Sequence, residues 1–135
     1  MNDVYEIFFY FLRTDGYFKE KYFGGVSAFT KEQFETINGF SNSYFGWGIE
    51  DDDSRLRVLN KYKSIMRLKP EIGRYFANCH KKQDRNPDRF ILYLQAMSRL
   101  ESDGLNSLDY KRARIEKNFL FTRIYVSYLD NSRNR

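Results

Sequence analysis

Four consecutive carboxylates, Glu50 to Asp53, follow the only tryptophan of the chain and form the strongest sign of chemistry in the sequence. Ionised neighbours raise one another's pKa, so such a cluster is tolerated where it is solvated, placed at a helix N-terminus, or matched to a cation or substrate hydroxyls. Trp47 stands between Gly46 and Gly48, and an exposed aromatic ring can stack on a saccharide. The pattern indicates carboxylates that bind sugar hydroxyls or accept a proton.

Two further features could belong to a site. Gly24 and Gly25 interrupt a strand-like segment, and paired glycines in a strand mark either a bulge or a close approach of the backbone to a ligand. His80 is the only histidine, and taken alone it fits a surface or core position as well as a ligand position. Both alternatives stay open at the level of the residues.

The composition favours one globular domain over residues 1–135, because 41% of the residues are apolar and 19% are aromatic. A single cysteine, Cys79, excludes an internal disulfide and a cysteine-rich zinc site. The net charge is +5, but the basic residues are spread along the chain and interleaved with acidic ones, which argues against a nucleic-acid partner. No segment reaches the roughly 20 apolar residues of a membrane span.

The periodicity and turn signals predict an alternation of strands and helices. Thr30 and Gln33 form a capping-box pattern at a helix start. The acidic run opens a second helix whose expected core-facing residues are Leu56, Leu59 and, as an open alternative, Tyr62. Phe90, Leu94 and Met97 mark one side of a third helix. The predicted strands span 4–12, 22–29, 64–68, 72–79 and part of 110–129, and the predicted helices span 31–38, 50–62 and 86–101.

Several motifs together resemble the C-terminal, acceptor-side half of the β-1,4-galactosyltransferase catalytic domain, over roughly residues 22 to 126. The similar segments are Tyr22-Phe23-Gly24-Gly25-Val26-Ser27-Ala28, Ile37-Asn38-Gly39-Phe40, Gly46 to Asp53, Arg57, His80, Asn86-Pro87-Asp88-Arg89-Phe90 and Ser102 to Leu108. The resemblance implies a GT-A-like nucleotide-sugar glycosyltransferase fold of the α/β class, with a mixed sheet and two or three helices. It also implies inverting transfer of a hexose from a UDP-sugar to a hydroxyl of an acceptor saccharide, assisted by Mn²⁺.

The same resemblance implies a role for each matching residue. Asp51 is the expected general base, and Glu50 and Asp52 bind hydroxyls of the substrates. Trp47 closes over the sugars, and His80 is the metal ligand. The remaining expected contacts are Tyr22, Gly24 and Gly25 beside the donor, and Arg89 and Phe90 at the acceptor.

The sequence departs from the family at three places, one of which is Ala77, where the family commonly has a methionine as a further metal ligand. The family usually has a second glycine where Ile49 stands. Its nucleotide-binding half, with an Asp-x-Asp motif, precedes the matched part, and no such segment occurs before Tyr22. A second polypeptide that supplies this half is therefore an expected partner, and the alternative is a saccharide-binding remnant without turnover.

The predicted setting follows from targeting signals. No signal peptide or anchor is encoded in these residues, which predicts a cytoplasmic, microbial protein. The resemblance implies the Golgi lumen instead if the chain is a piece of an animal enzyme.

Overall fold

The computed structural model describes residues 8–10, 23–67, 71–72, 81 and 83–128. The predicted site residues Tyr22 and His80, and nearly all of the predicted strand 72–79, lie outside these residues. In chain order the elements are β1 (Phe8–Tyr10), β2 (Val26–Ala28), α1 (Lys31–Thr36), α2 (Glu50–Lys61), β3 (Met66–Arg67), α3 (Arg89–Leu94), α4 (Ala96–Arg99), a 3₁₀ turn (Leu105–Ser107), β4 (Tyr110–Lys117) and β5 (Thr122–Tyr128).

The strands form one mixed sheet and one separate hairpin. Strand β1 is central in the order β2-β1-β3, antiparallel to β2 and parallel to β3. Strands β4 and β5 pair antiparallel as a two-stranded hairpin. The predicted α/β class and mixed sheet agree with this arrangement, while the described residues contain four short α-helices instead of two or three.

Helix α1 begins where the sequence predicts. The Gln33 amide donates to the Thr30 hydroxyl at 3.1 Å, and the Thr30 amide donates to the Gln33 side-chain oxygen at 2.9 Å. These two bonds are the reciprocal capping box, which satisfies two amides that the first helical turn leaves without a partner. Helix α1 ends before Asn38 and Gly39, which both have positive φ, and the Gly39 amide returns to the Phe34 carbonyl at 2.8 Å.

The third predicted helix, 86–101, is not continuous. It is broken at Gln95 into α3 and α4, and its apolar side does not contribute to the core. Phe90, Leu94 and Met97 are all exposed, Leu94 to 83%. Apolar spacing identifies a side that can be buried, but in the described part of the chain no element covers this one.

The core is small and lies where α1 and α2 meet the segment before β2. Phe23, Ile37 and Val58 are buried together, and Phe29, Phe34, Tyr62 and Ile65 pack against them. Leu59, predicted to face the core, is exposed, and the neighbouring Val58 takes that place. Tyr62 packs against the core as predicted, and the buried side of α2 also includes Asp53 and Arg57.

A second contact joins the end of α1 to the segment after α4. The Leu105 amide donates to the Asn38 carbonyl at 2.8 Å, and the Asn38 side chain exchanges hydrogen bonds with Asn106. Gly104 makes this approach possible, since a Cβ built there would stand 1.9 Å from the Asn38 carbonyl oxygen. The Asp-Gly-Leu-Asn-Ser segment is thus held against the loop that leads to the acidic run.

We expect Gly104→Ala to lower the free energy of unfolding by about 1–3 kcal/mol, because the methyl group forces the backbone of one segment away from the other. Denaturant unfolding followed by circular dichroism measures the change. Ser102→Ala, at an exposed position two residues away, is the control and should change stability little. Equal stability of Gly104→Ala and the wild type would show that the two segments are not held this closely.

Candidate active site

An open cavity of about 360 Å³ lies between the β2 segment and the first turn of α2. Three predicted site residues, Gly25, Glu50 and Asp51, line it. The other lining residues are Phe23, Ser27, Phe40, Ser41, Tyr44, Gly46 and Ser54. Aromatic rings, hydroxyls and two carboxylates around a concave surface of this size are suited to a polar ring such as a saccharide.

Helix α2 presents its acids to this cavity from its first turn. Ser54 follows Glu50 by four positions and Asp51 by three, so each acid lies about one helical turn from Ser54 and close to it on the helix surface. The Glu50 carboxylate accepts the Gly48 amide at 2.8 Å, and the Ser54 hydroxyl donates to the Glu50 carbonyl at 2.9 Å. The helix N-terminus favours the negative charges, so the cluster is fixed in place with one acid tied to the preceding loop.

Asp51 is the carboxylate best prepared to accept a proton. Burial, and then the charges of Glu50 and Asp52, raise its pKa from 3.8 to about 6. A general base is most effective when its pKa lies near the working pH. Burial also raises the pKa of Asp52 against the opposing charge of Arg55, but Asp52 is exposed and does not line the cavity.

Asp53 does not line the cavity and has a structural role instead. Its side chain is fully buried, and its Oδ1 accepts the Arg57 Nε at 2.6 Å. Its Oδ2 accepts the Tyr44 hydroxyl at 3.1 Å and lies 3.6 Å from an Arg99 nitrogen. The burial of Tyr44 and its contact with Asp53 raise the pKa of the tyrosine.

The buried charges continue into the segment after α4. Arg57 Nη1 donates to the Asp103 carbonyl at 2.6 Å, and Arg99 Nη1 donates to the Asp103 carboxylate at 2.9 Å. The hydroxyls of Ser41 and Ser43 donate to the same carboxylate. Burial alone would raise the pKa of Asp103, but these hydrogen bonds and the Arg99 charge outweigh it and lower the pKa. The network of Asp53, Arg57, Arg99 and Asp103 fixes α2 beneath the cavity.

The tryptophan loop is tied to a second segment. The Trp47 amide donates to the Asp84 carbonyl at 3.1 Å, and the Trp47 carbonyl accepts the Asn86 amide at 3.0 Å. The ring is half-exposed, with the Arg85 guanidinium 5.7 Å from its centroid. Trp47 does not line the cavity in this conformation, so closure over a sugar requires both segments to move together.

Ile49 occupies a backbone conformation suited to glycine. Its φ is 70°, in the left-handed region, where a β-branched residue is an outlier. It also precedes α2 without a side-chain capping bond. The sequence departure at Ile49 therefore leaves the loop in a strained backbone conformation.

We expect Ile49→Gly to raise the free energy of unfolding by about 0.5–1 kcal/mol, since release of left-handed strain exceeds the entropy that glycine loses on folding. Urea titration measures the change. Ile49→Val keeps the β-branch and should show no gain. A less stable glycine variant would mean that the isoleucine side chain contributes more through packing than it costs in strain.

The predicted acceptor residues lie beside the tryptophan loop and outside the cavity wall. The Arg89 side chain crosses Gly48, where a Cβ would stand 2.8 Å from Arg89 Cδ. Its guanidinium lies 4.4 Å from the centroid of the Phe90 ring, which is exposed. Arg89 and Phe90 are therefore brought to the tryptophan loop, while Gly24 is buried and does not line the cavity.

The expected Mn²⁺ finds no support in the described residues. None of their His, Cys, Asp and Glu side chains form a group of three that could hold a metal ion. The carboxylates of α2 do not fit this cofactor by themselves, and His80 lies outside the described residues.

Several cavity and network residues were not predicted from the sequence. Ser54 was detectable, because it follows Glu50 by four positions on the same helix side. The Asp53 and Arg57 spacing was also a signal, since opposite charges four apart on a helix commonly pair. Arg99 and Asp103 have the same spacing, whereas Tyr44 and Ser41 carried no local signal.

The chain matches one protein-family model and is similar to several known proteins. Residues 13–81 match a family model described as the N-terminal domain of galactosyltransferase. The chain is 50% identical over 113 residues to β-1,4-galactosyltransferase 4 of Cricetulus griseus, a match that covers 80% of this chain and 32% of the relative. It is 44% identical over 110 residues to β-1,4-galactosyltransferase 4 of Homo sapiens, covering 79% and 32%. With β-1,4-galactosyltransferase 1 of Mus musculus it is 45% identical over 109 residues, covering 78% and 27%.

The chain belongs to the galactosyltransferase family. The match covers 32% of the Cricetulus griseus (hamster) protein, so the chain spans about a third of that relative's length. The family model's description refers to an N-terminal domain, whereas the motifs predict the C-terminal half. Membership does not depend on that placement, which stays a prediction.

The predicted cytoplasmic setting is wrong, while the microbial origin stays a prediction. The relatives are mammalian β-1,4-galactosyltransferases, the animal group that the resemblance associates with the Golgi lumen. Because the chain spans only 32% of the hamster relative, the lack of an anchor in these residues does not indicate a compartment. In the described part of the chain, no helix is long and apolar enough to cross a bilayer.

Proposed function

We propose that this chain is the acceptor-side catalytic part of a GT-A-like glycosyltransferase that transfers a hexose from a UDP-sugar to a saccharide hydroxyl with inversion. The observation that carries the proposal is Asp51, which lines the cavity and has a pKa of about 6. Family membership supports the reaction class. The whole reaction remains a proposal because the chain spans 32% of the hamster relative.

In this reaction Asp51 takes the proton of the acceptor hydroxyl while that oxygen bonds to the anomeric carbon and the bond to UDP breaks. Attack from the face opposite the leaving group inverts the anomeric carbon. Glu50, held by the Gly48 amide, binds a sugar hydroxyl and keeps the pKa of Asp51 raised. Trp47 with Arg89 and Phe90 contacts the acceptor, and closure of the loop excludes water.

The proposed donor contacts are Tyr22, Gly24 and Gly25, of which Gly25 lines the cavity. Asp52 binds hydroxyls from the exposed side of the helix turn. Mn²⁺ held by His80 rests on the resemblance alone, and no step of the proposed reaction runs through it.

A second candidate function is saccharide binding without turnover. The observation that favours it is the cavity lining, because aromatic rings and hydroxyls such as those of Phe40, Tyr44 and Ser54 can bind a saccharide whether or not a transfer follows. A separate polypeptide that supplies nucleotide binding would reconcile the two functions.

The test is a transfer assay with the 135-residue chain, UDP-galactose, N-acetylglucosamine and Mn²⁺, with disaccharide detected by mass spectrometry. Calorimetry with N-acetylglucosamine alone runs in parallel. Disaccharide formation supports the transferase. Saccharide binding without product supports the second candidate, and neither product nor binding would contradict both.

The rate of transfer should fall as the pH is lowered through about 6, by about tenfold per unit below it, because Asp51 must be ionised to accept a proton. Initial rates from pH 4.5 to 8 at saturating substrates measure the profile. A midpoint near 4, the ordinary value of an aspartate, would mean that the base is a different carboxylate or a solvated one.

A further inference from the structure

The segment that leads into β2 lines the cavity with alternate residues. Phe23, Gly25 and Ser27 are among the lining residues, whereas Gly24 and Val26 are not. Successive residues of an extended chain point to opposite sides, so this segment presents one side to the cavity. Of the three lining residues only Ser27 has a polar side chain, and it is exposed.

The sheet fixes where Ser27 stands. Strand β2 pairs antiparallel with β1, and Ser27 is opposite Phe9 in this register. The facing wall of the cavity is the first turn of α2, which contributes Glu50 and Asp51. The cavity therefore has a hydroxyl on one wall and two carboxylates on the other.

The other hydroxyls around the cavity have already donated their protons. The Tyr44 hydroxyl donates to a buried carboxylate at 3.1 Å, that of Ser54 to a helix carbonyl at 2.9 Å, and that of Ser41 to a carboxylate of the network beneath the cavity. Each can still accept, but a hydroxyl has only one proton to give. Within the part of the chain that the structure describes, the Ser27 hydroxyl makes no hydrogen bond.

Ser27 is thus the one side chain among the described lining residues that has a proton free to donate. The lining residues without a hydroxyl are phenylalanines, glycines and the carboxylates Glu50 and Asp51, and an ionised carboxylate only accepts. A sugar that donates its hydroxyls to these carboxylates still has oxygen lone pairs to satisfy. Leaving such an acceptor without a donor costs free energy of binding.

We propose that Ser27 is a specificity-determining residue of the saccharide site, whose hydroxyl donates a hydrogen bond to an oxygen of the bound sugar across the cavity from Asp51. Ser27 selects saccharides that present an accepting oxygen to β2 while they donate hydroxyls to α2. The inference rests on the proposed saccharide site, and it applies to binding with or without transfer.

The test is calorimetry of the 135-residue chain with N-acetylglucosamine and with its monodeoxy analogues, each of which lacks one hydroxyl. The variants are Ser27→Ala, which removes the donor, and Ser27→Thr, which keeps a hydroxyl and suits a strand. Ser98→Ala on α4 is the matched control, because Ser98 is also an exposed serine but does not line the cavity. Thermal unfolding of each variant checks that the fold is unchanged.

We expect Ser27→Ala to bind N-acetylglucosamine about 3–10-fold more weakly than the wild type, the net effect of one neutral hydrogen bond. One deoxy analogue should bind the wild type more weakly by the same factor and should show no further loss with Ser27→Ala, because donor and acceptor act as a pair. Ser27→Thr and Ser98→Ala should keep the wild-type affinity and the wild-type preference among the analogues.

Two results would overturn the proposal while the wild type still binds the sugar. One is an unchanged affinity of Ser27→Ala, and the other is a Ser27→Ala variant that discriminates among all the analogues as the wild type does. Binding that depends on Ser27 without any disaccharide in the transfer assay would support Ser27 and contradict the transferase. No binding of N-acetylglucosamine by the wild type would overturn the role of Ser27 together with the saccharide site.

Discussion

Asp51→Asn is expected to slow hexose transfer by about 10²–10⁴-fold, the usual contribution of a general base, and to stabilise the fold at neutral pH. The gain in stability follows from the direction in which folding shifts the pKa of Asp51. The pKa of Asp51 is about 6 in the folded chain against 3.8 ordinarily, so the folded state binds the proton more tightly and the ionised side chain lowers stability. This cost is absent below pH 3.8, grows as the pH rises, and is complete above pH 6.

Urea titrations at pH 4 and pH 8 separate the two effects, with rates taken under the conditions of the transfer assay. The free energy of unfolding of Asp51→Asn should exceed that of the wild type by up to about 2 kcal/mol at pH 8 and by little at pH 4. Asp109→Asn is the matched control, because Asp109 is exposed and does not line the cavity. Lower stability with an unchanged rate would assign Asp51 a structural role and remove it as the base.

Arg57→Met is expected to lower the free energy of unfolding by about 3–5 kcal/mol, because it leaves the Asp53 carboxylate buried without its ion pair. The Arg57 side chain is fully buried, with Nε 2.6 Å from Asp53 Oδ1 and Nη1 2.6 Å from the Asp103 carbonyl. The total free energy of unfolding of a small domain is about 5–15 kcal/mol. The midpoint of thermal unfolding should therefore fall steeply and the cavity should be lost with the fold.

Lys61→Met is the matched control, one helical turn further along α2. Lys61 pairs with Glu101 at 2.9 Å, but both side chains are solvent-accessible, at 35% and 77%. Such exposed pairs contribute about 0–1 kcal/mol. A double variant, Asp53→Asn with Arg57→Met, should lose less than the sum of the single variants, because it removes both charges. Equal effects of Arg57→Met and Lys61→Met would show that the buried pair does not hold α2 in place.

Local capping and charge patterns predicted the helices that position the site. The Thr30 and Gln33 box marks the start of α1, and the acidic run marks the start of α2. Their side chains fix the helix ends through short-range bonds, so the signal lies within a few residues. The proximity of Gly25 to Asp51 in one cavity, by contrast, was implied only by resemblance to a family, because it depends on long-range packing.

The predictions that failed depend on what lies against an element. The spacing of Leu56 and Leu59 predicted the core-facing side of α2, but Leu59 is exposed and Val58 is buried instead. Periodicity records which side can be covered and does not identify the covering layer. The bond from Arg57 to the Asp103 carbonyl joins residues 46 positions apart, a separation at which sequence spacing carries no geometric information.

The rotation of the helix at each residue gives the four adjacent acids four different surroundings. Glu50 holds the loop, Asp51 faces the cavity, Asp52 faces solvent and Asp53 pairs in the interior. Each step turns the side chain by about 100° about the axis. An insertion or deletion of one residue near Ile49 would shift every acid into its neighbour's surroundings while keeping the composition of the run. The position of each acid along this helical turn therefore matters more than the number of charges.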